Sequence, residues 1–183
     1  SAVTIKVDDI NLGEDAIVYV NVTSGATGRV ALSIYGTTIV KDLVNGSVNF
    51  TVAGLPARDF QVSAYYLGDD NFLTSNATSS FTVHKLTPEL TVNATSVFVG
   101  DETVITVNVT SGVTGVVLVD INGTDYFINL TAGADSLSVA LPVGDYTVKV
   151  TYNGDANYGV AENSTTFTVS KRDTGIVINS TDI

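Results

Sequence analysis

The sequence predicts an all-β protein built from two tandem antiparallel β-sandwiches, and three observations lead to this prediction. Apolar and polar residues alternate with a period of two in segments such as residues 18–22 and 105–109, which is the pattern of half-buried strands. No window shows the i, i+3, i+4, i+7 apolar spacing of an amphipathic helix. Finally, residues 20–25 recur unchanged as residues 107–112, so the chain is a tandem repeat.

The repeat divides the chain into modules of about 86 residues, a workable size for a small domain. Residues 66–72 (Tyr-Leu-Gly-Asp-Asp-Asn-Phe) correspond to residues 152–158 (Tyr-Asn-Gly-Asp-Ala-Asn-Tyr), and a Phe-Thr-Val strand follows each copy. The copies differ in length by one residue, Gly54. We predict modules at residues 1–85 and 86–171, and we interpret residues 172–183 as the first strand of a truncated third repeat or a linker.

Each module is predicted to contain about seven strands separated by Gly, Asp, Asn or Pro. In the second module the predicted strands are residues 90–98, 102–110, 115–122, 125–131, 134–141, 145–153 and 162–170. Their inward apolar rows are expected to fill the space between two antiparallel sheets. These rows include Ile105, Val107, Val109, Tyr146, Val148, Val150, Phe167 and Val169, and in the first module Val18, Val20, Val22, Phe60, Val62, Phe81 and Val83.

Composition narrows the classes of partner. The 183 residues carry a net charge of -11, which disfavours binding to nucleic acid or anionic lipid. We find no segment long and apolar enough to span a membrane and no secretion signal at the start, so an exported protein would contain this chain as an internal fragment. Cysteine is absent, which leaves packing and hydrogen bonds to stabilise the fold. No cofactor is predicted.

Two features connect the modules to known proteins. Tyr146 begins a predicted strand after a Leu-Pro corner, like the tyrosine corner of immunoglobulin-like sandwiches. Residues 144–158 followed by Phe-Thr-Val resemble the bacterial-type immunoglobulin-like (Ig-like) repeats found in adhesin-like surface proteins of methanogenic archaea and in some bacterial surface proteins. The resemblance covers both modules and the truncated third repeat, and it implies two Ig-like sandwiches of an extracellular, cell-surface adhesin or stalk. Its expected partners are neighbouring repeats and another cell's surface protein or glycan.

The most specific motif, Tyr-x-Gly-Asp-x-Asn-Tyr/Phe, is interpreted first as a structural turn, because glycine accepts positive φ and Asp or Asn side chains bind their own turn. The turn residues are Gly68, Asp69, Asn71, Gly154, Asp155 and Asn157. The alternative is an interdomain Ca²⁺ site, which needs six to eight oxygen ligands. Its candidate ligands are Asp155, Glu14, Asp15, Asp59 and Glu89.

Ten asparagines stand in the Asn-x-Ser/Thr acceptor pattern for N-glycans, where composition alone predicts about three. They are Asn21, Asn45, Asn49, Asn76, Asn93, Asn108, Asn122, Asn129, Asn163 and Asn179. Strand alternation by itself can generate such triplets on an outward face. Because several lie in predicted turns, we favour N-glycosylation.

Catalytic chemistry has little support in the sequence. The single histidine, His84, ends a strand, and no Gly-x-Ser-x-Gly elbow or phosphate-binding loop is present. We therefore predict a non-enzymatic spacer or adhesive module. Two alternatives remain: a subunit of an extracellular filament, joined through donation of residues 174–183 to a neighbour's sheet, or an accessory repeat of a large secreted glycan-active enzyme.

Overall fold

The computed structural model describes residues 1–178, and this part of the chain is folded entirely from β-strands. The chain divides into two compact units, Ser1–Leu86 and Thr87–Ile183. Within the described residues no helix is long and apolar enough to cross a bilayer.

The first unit contains eight strands in two sheets. The strands are β1 (Val3–Lys6), β2 (Ile10–Asn11), β3 (Ala16–Val22), β4 (Arg29–Ile34), β5 (Thr37–Asp42), β6 (Ser47–Val52), β7 (Asp59–Tyr66) and β8 (Ser75–His84). One sheet has the order β1-β3-β6 and the other has the order β2-β8-β7-β4-β5.

The second unit repeats this arrangement. Its strands are β9 (Leu90–Ala94), β10 (Val97–Phe98), β11 (Glu102–Val109), β12 (Gly115–Ile121), β13 (Thr124–Leu130), β14 (Ala134–Ala140), β15 (Gly144–Tyr152) and β16 (Ala161–Ser170). The sheets are β14-β11-β9 and β10-β16-β15-β12-β13. The predicted all-β fold of two tandem Ig-like sandwiches is confirmed, since a three-stranded and a five-stranded sheet enclose each core.

Each unit has eight strands where the sequence predicts about seven, because the first predicted strand is broken. β9 pairs antiparallel with β11, and after a two-residue interruption β10 pairs parallel with β16 in the opposite sheet. At the break, the Thr103 hydroxyl donates a hydrogen bond to the Thr95 carbonyl at 2.5 Å. The same change of sheet separates β1 from β2 in the first unit.

Alternation places the predicted inward rows in two separate cores, one in each unit. β3 reads buried and exposed at alternate positions from Ala16 to Val22, and β11 does the same from Thr103 to Val109. All the residues predicted to face inward are buried except Tyr146, which is half-buried at the edge of the second core. Period-two patterning therefore accounts for both interiors.

Candidate functional surfaces

The Tyr-x-Gly-Asp-x-Asn-Phe loop of the first unit is tied to a second loop by one carboxylate. Asp69 Oδ1 accepts hydrogen bonds from the backbone N–H of Asn71 at 2.8 Å and of Phe72 at 2.7 Å. Asp69 Oδ2 accepts from both the backbone N–H and the hydroxyl of Thr27, each at 2.8 Å. Asp69 thus joins the loop after β7 to the loop after β3. We call this arrangement the aspartate latch.

The second unit has the same turn. Asp155 Oδ1 accepts from the backbone N–H of Asn157 at 2.8 Å and of Tyr158 at 2.7 Å, and the Asp155 N–H donates to the Tyr158 carbonyl at 3.0 Å. Gly154 has φ +81°, a conformation that L side chains rarely adopt. A Cβ at this position would lie 2.6 Å from the Tyr158 carbonyl oxygen, so the turn requires glycine.

Electrostatics supports a structural role for the latch. The amide of Thr27, followed by those of Asn71 and Phe72, lowers the pKa of the Asp69 carboxyl well below its usual range, although partial desolvation opposes the shift. Beneath the loops, the Tyr66 and Tyr152 hydroxyls are buried without hydrogen-bond geometry to any described residue. Burial raises the pKa of Tyr66, and it raises the pKa of Tyr152 to about 12, with Asp155 contributing.

The corner before β15 in the second unit and the equivalent corner before β7 in the first unit are stabilised by different contacts. The Tyr146 hydroxyl donates a hydrogen bond to the Pro142 carbonyl at 2.9 Å, which is the geometry of a tyrosine corner. Its ring stacks on Phe167 with centroids 5.1 Å apart. The first unit has Phe60 at this place, where Tyr35 packs edge-on at 5.4 Å and the Arg58 guanidinium lies 5.5 Å from the ring centroid.

In each five-stranded sheet, the strand that comes first along the chain pairs in parallel with the strand that comes last. In the first unit β2 lies beside the end of β8, and the Leu12 N–H donates to the His84 carbonyl at 2.9 Å. The Thr82 N–H also donates to the Asp9 carboxylate at 2.7 Å. We call this pairing, together with its equivalent in the second unit, the terminal clamp.

In the second unit an arginine reinforces the terminal clamp. The Val99 N–H donates to the Ser170 carbonyl at 2.8 Å, continuing the β10–β16 pairing. Arg172 then donates from Nε to the Val99 carbonyl at 3.0 Å and from its guanidinium to Asp101 at 2.5 Å. In the first unit the residue that corresponds to Arg172 in the repeat is Leu86, so that unit lacks the arginine contact.

Nine of the ten predicted glycan acceptors lie in the described part of the chain, and all nine are exposed. Asn45 and Asn122 occupy turns with positive φ, and the others lie on strands. Asn179 lies outside the described residues. Outward exposure is necessary for a glycan, and whether the sites carry one stays a prediction.

The acceptor side chains differ in how far the protein already uses them. Asn122 Nδ2 donates to the Asp145 carbonyl at 3.1 Å while its Oδ1 accepts from the Thr147 N–H at 2.8 Å. Asn163 Nδ2 donates to the Leu90 carbonyl at 2.8 Å. A sugar attached to either nitrogen replaces one of its two hydrogens, so the remaining hydrogen has to serve the existing hydrogen bond.

Three exposed aromatic side chains are a surface feature that the sequence analysis does not identify. Tyr19, Tyr65 and Phe127 are 44 %, 44 % and 70 % exposed on outer sheet faces. Strand alternation would have predicted two of these exposures. Tyr19 is two residues before outward-facing Asn21, and Phe127 is two residues before Asn129, so each aromatic residue faces the same side of its strand as the asparagine.

The candidate calcium ligands have different local roles. Glu14 accepts a hydrogen bond from the Asn11 N–H at 2.7 Å, and Asp59 accepts one from the Thr82 hydroxyl at 2.7 Å. Asp15 is an exposed residue before β3, and the Glu89 N–H donates to Thr110. Residues 1–178 contain no group of three or more His, Asp or Glu side chains that could hold a metal. An ion between the units stays a prediction.

The single histidine lies on the surface. His84 Nε2 is 3.6 Å from Asp9 Oδ2, and both side chains are more than half exposed. Among the described residues the buried side-chain hydroxyls include those of Tyr66, Tyr152 and Thr103, and the Thr103 hydroxyl donates to the Thr95 carbonyl.

The strand order, terminal clamp and tyrosine corner define a tandem Ig-like β-sandwich protein. No protein-family model matches the chain, and no curated protein sequence matches it. Among solved structures it is similar to the fibronectin(III)-like modules of CbhA from Clostridium thermocellum. That match has 13 % identity, covers 97 % of this chain and 100 % of the other, and has a TM-score of 0.42.

Two further similar structures come from longer proteins. A 1.5-MDa bacterial ice-binding adhesin matches at 21 % identity over 93 % of this chain and 65 % of that chain, with a TM-score of 0.38. A β-glucuronidase from Parabacteroides merdae matches at 10 % identity over 90 % of this chain and 24 % of that chain, with a TM-score of 0.36. These likenesses concern the sandwich fold and carry no conclusion about function.

Proposed function

We propose that the chain is part of a non-enzymatic cell-surface adhesin or stalk, in which Ig-like repeats act as extended spacer and adhesive modules. The observation that carries the proposal is the terminal clamp, present at equivalent positions in both units. Because β2 and β8 run parallel, as do β10 and β16, pulling the ends of a unit in opposite directions slides these strands past each other. Their hydrogen bonds are then loaded together instead of one after another.

The surface composition supports an extracellular setting. The net charge of -11 favours solubility and repels nucleic acid and anionic lipid. Exposed acceptor asparagines on sheet faces and turns suit a protein that carries N-glycans, which also cover sheet edges. The partners consistent with this proposal are neighbouring repeats of the same protein and a surface protein or glycan of another cell.

Protease treatment of intact source cells tests the proposed location. Peptides from residues 1–178 should be released into the medium while cytoplasmic marker proteins stay inside the cells, and antibodies against the chain should reduce attachment of those cells. Recovery of the peptides only after lysis would contradict a surface location. Glycan-hydrolysing activity of the purified chain would contradict the non-enzymatic assignment.

A second candidate function is a subunit of an extracellular filament. Residues 171–178 form no strand, and Ile176, Val177 and Ile178 are 85–87 % exposed. The repeat aligns Ile176 and Ile178 with the buried Leu90 and Val92 of β9, so this segment has the pattern of a first strand, either of a third copy or donated to a neighbouring molecule. Concentration-dependent assembly that disappears on removal of residues 172–183 would favour the filament.

A further inference from the structure

We propose that three surface aromatic residues, Tyr19, Tyr65 and Phe127, are packing platforms for N-glycans attached to the asparagines beside them. The inference rests on the glycosylation that forms part of the proposed function. The proposal gives a role to three aromatic side chains that lie outside both cores. It also divides the acceptor asparagines into those whose glycan stabilises the fold and those whose glycan does not.

Tyr19 lies between two acceptor asparagines on the outer face of the β1-β3-β6 sheet. Asn21 is two residues further along β3, at a distance of about 7 Å along the strand. Asn49 of β6 is the direct cross-strand partner of Tyr19, so their Cβ atoms are about 5 Å apart. All three side chains line one shallow groove of about 410 Å³. The first sugar on either asparagine can therefore reach the tyrosine ring.

The Asn21 side chain is already oriented for this arrangement. The Ser47 hydroxyl donates to Asn21 Oδ1 at 2.9 Å, which holds the amide by its oxygen and leaves Nδ2 as the group to be modified. Asn21 differs in this respect from Asn122 and Asn163, whose Nδ2 atoms donate to backbone carbonyls.

The other two aromatics show the same proximity on five-stranded sheets. Tyr65 of β7 is the direct partner of Asn76 in β8, and both line one groove. Phe127 is two residues before Asn129 on the edge strand β13. The strand partner of Phe127 is Leu118, which extends the apolar surface next to the ring.

The exposed aromatics without an adjacent acceptor are accounted for differently. Five aromatic side chains are exposed in the described chain. Of the remaining two, Tyr35 packs against Phe60 and Arg58, while Phe98 lies in β10 of the terminal clamp. Tyr19, Tyr65 and Phe127 are the three of these five that lie beside acceptors. An aromatic ring offers a flat apolar face with negative potential, which complements the C–H face of a pyranose.

The modification requires an activated sugar donor. In the transfer, the anomeric carbon of a lipid-phosphate-linked oligosaccharide is attacked by the asparagine Nδ2. The bond from that carbon to the phosphate oxygen breaks, the new carbon–nitrogen bond forms, the amide loses one proton, and the lipid phosphate leaves. The aromatic residue takes no part in this reaction, since its contribution is to the stability of the product.

The second unit supplies a natural control. Asn108 is the repeat counterpart of Asn21, on the equivalent strand β11 and with the same Asn-Val-Thr triplet. The counterpart of Tyr19 is Thr106. The two sites share strand, parity and acceptor sequence. They differ in the aromatic ring and also in two neighbours, since Ser136 replaces Asn49 and Ala134 replaces Ser47. Each exchange is therefore compared with the wild-type form of its own unit, which isolates the effect of the ring.

The test compares the wild-type chain, Tyr19→Thr, Thr106→Tyr and the double exchange. Each is produced both in a glycosylating secretory host and, without glycans, in a bacterial host. Mass spectrometry identifies the modified asparagines, and calorimetry gives the melting temperature of each unit. We expect glycosylation to raise the melting temperature of the first unit by about 2–8 °C in the wild type. This increase should be lost in Tyr19→Thr, and a similar increase should arise in the second unit of Thr106→Tyr.

Comparison with the bacterial proteins removes any effect of the substitutions on the bare fold. The inference would be overturned if the glycan-dependent increase in melting temperature were the same with and without the exchange. It would also be overturned if Asn21, Asn49, Asn76 and Asn129 all carried no sugar in the secretory host. The experiment does not depend on adhesion or on location in the source cell. If the protease assay places the chain inside the cell but the exchange moves the glycan-dependent stabilisation, the proposed function is refuted and the packing inference stands. If the chain is on the cell surface but the exchange has no effect, the packing inference is refuted and the proposed function stands.

Discussion

Replacement of Gly154 by alanine tests the claim that the turn at residues 152–158 requires glycine. Two terms contribute to the expected loss. The residue has φ +81°, and the left-handed region costs a residue with a Cβ about 1–2 kcal/mol. The new methyl group would also lie 2.6 Å from the Tyr158 carbonyl oxygen and 3.0 Å from the backbone of Gly159. Overpacking of this kind costs about 1–3 kcal/mol.

Together these terms lower the free energy of unfolding of the second unit by about 2–5 kcal/mol, less up to about 1 kcal/mol for the reduced freedom of the unfolded chain. For a unit of this size each kcal/mol corresponds to about 4–8 °C in melting temperature. A loss of at least about 4 °C is therefore expected. The first unit has its own core, so its transition should stay in place as an internal reference.

Gly112→Ala is the matched control. Gly112 has φ +85° but no atom within 4 Å of an added Cβ, so this variant carries the conformational cost without the collision. Differential scanning calorimetry of the whole chain compares the three proteins. If Gly154→Ala is no less stable than Gly112→Ala, then the close approach of the loop backbone to Tyr158 has no energetic consequence and the argument fails.

Two further predictions concern individual side chains. The pKa of Asp69 is lowered in the folded state, so the stability that this carboxylate contributes is present above the unfolded pKa and is lost as pH falls below about 4. The melting temperature of the wild type should therefore fall more steeply between pH 4 and 2 than that of Asp69→Asn. Equal slopes for the two proteins would contradict the aspartate latch. Tyr146→Phe removes the hydrogen bond to the Pro142 carbonyl but keeps the ring, and should cost about 1 kcal/mol in chemical denaturation of the second unit. An unchanged midpoint would show that the corner depends on ring packing alone.

The strands and cores were predictable because their signals are local. Alternation fixes which face of a strand is apolar, so Val18, Val20 and Val107 were placed inside from parity alone. The repeat then supported each assignment in the other copy. The break between β9 and β10 was harder to predict from the sequence, because the residues around Thr95 continue a strand-like pattern while the chain changes sheet.

The contacts that define the surfaces depend on distant partners. Asp69 binds Thr27 from 42 positions away, and no local pattern indicates which loop the second carboxylate oxygen will reach. Tyr19 and Asn49 become neighbours only through the register of β3 with β6. Sequence parity shows that such residues face outward, but strand pairing decides which of them lie side by side.

The central claim, that each unit resists tension through its terminal clamp, is tested most directly by single-molecule pulling on the two ends of the chain. Two separate unfolding events of about 25 nm contour length each are expected. Leu12→Pro and Val99→Pro each remove the backbone donor at the equivalent clamp position. Each should lower the unfolding force of its own unit alone. If the units extend without distinct force peaks, or if neither proline changes the force, then the clamp does not bear the load.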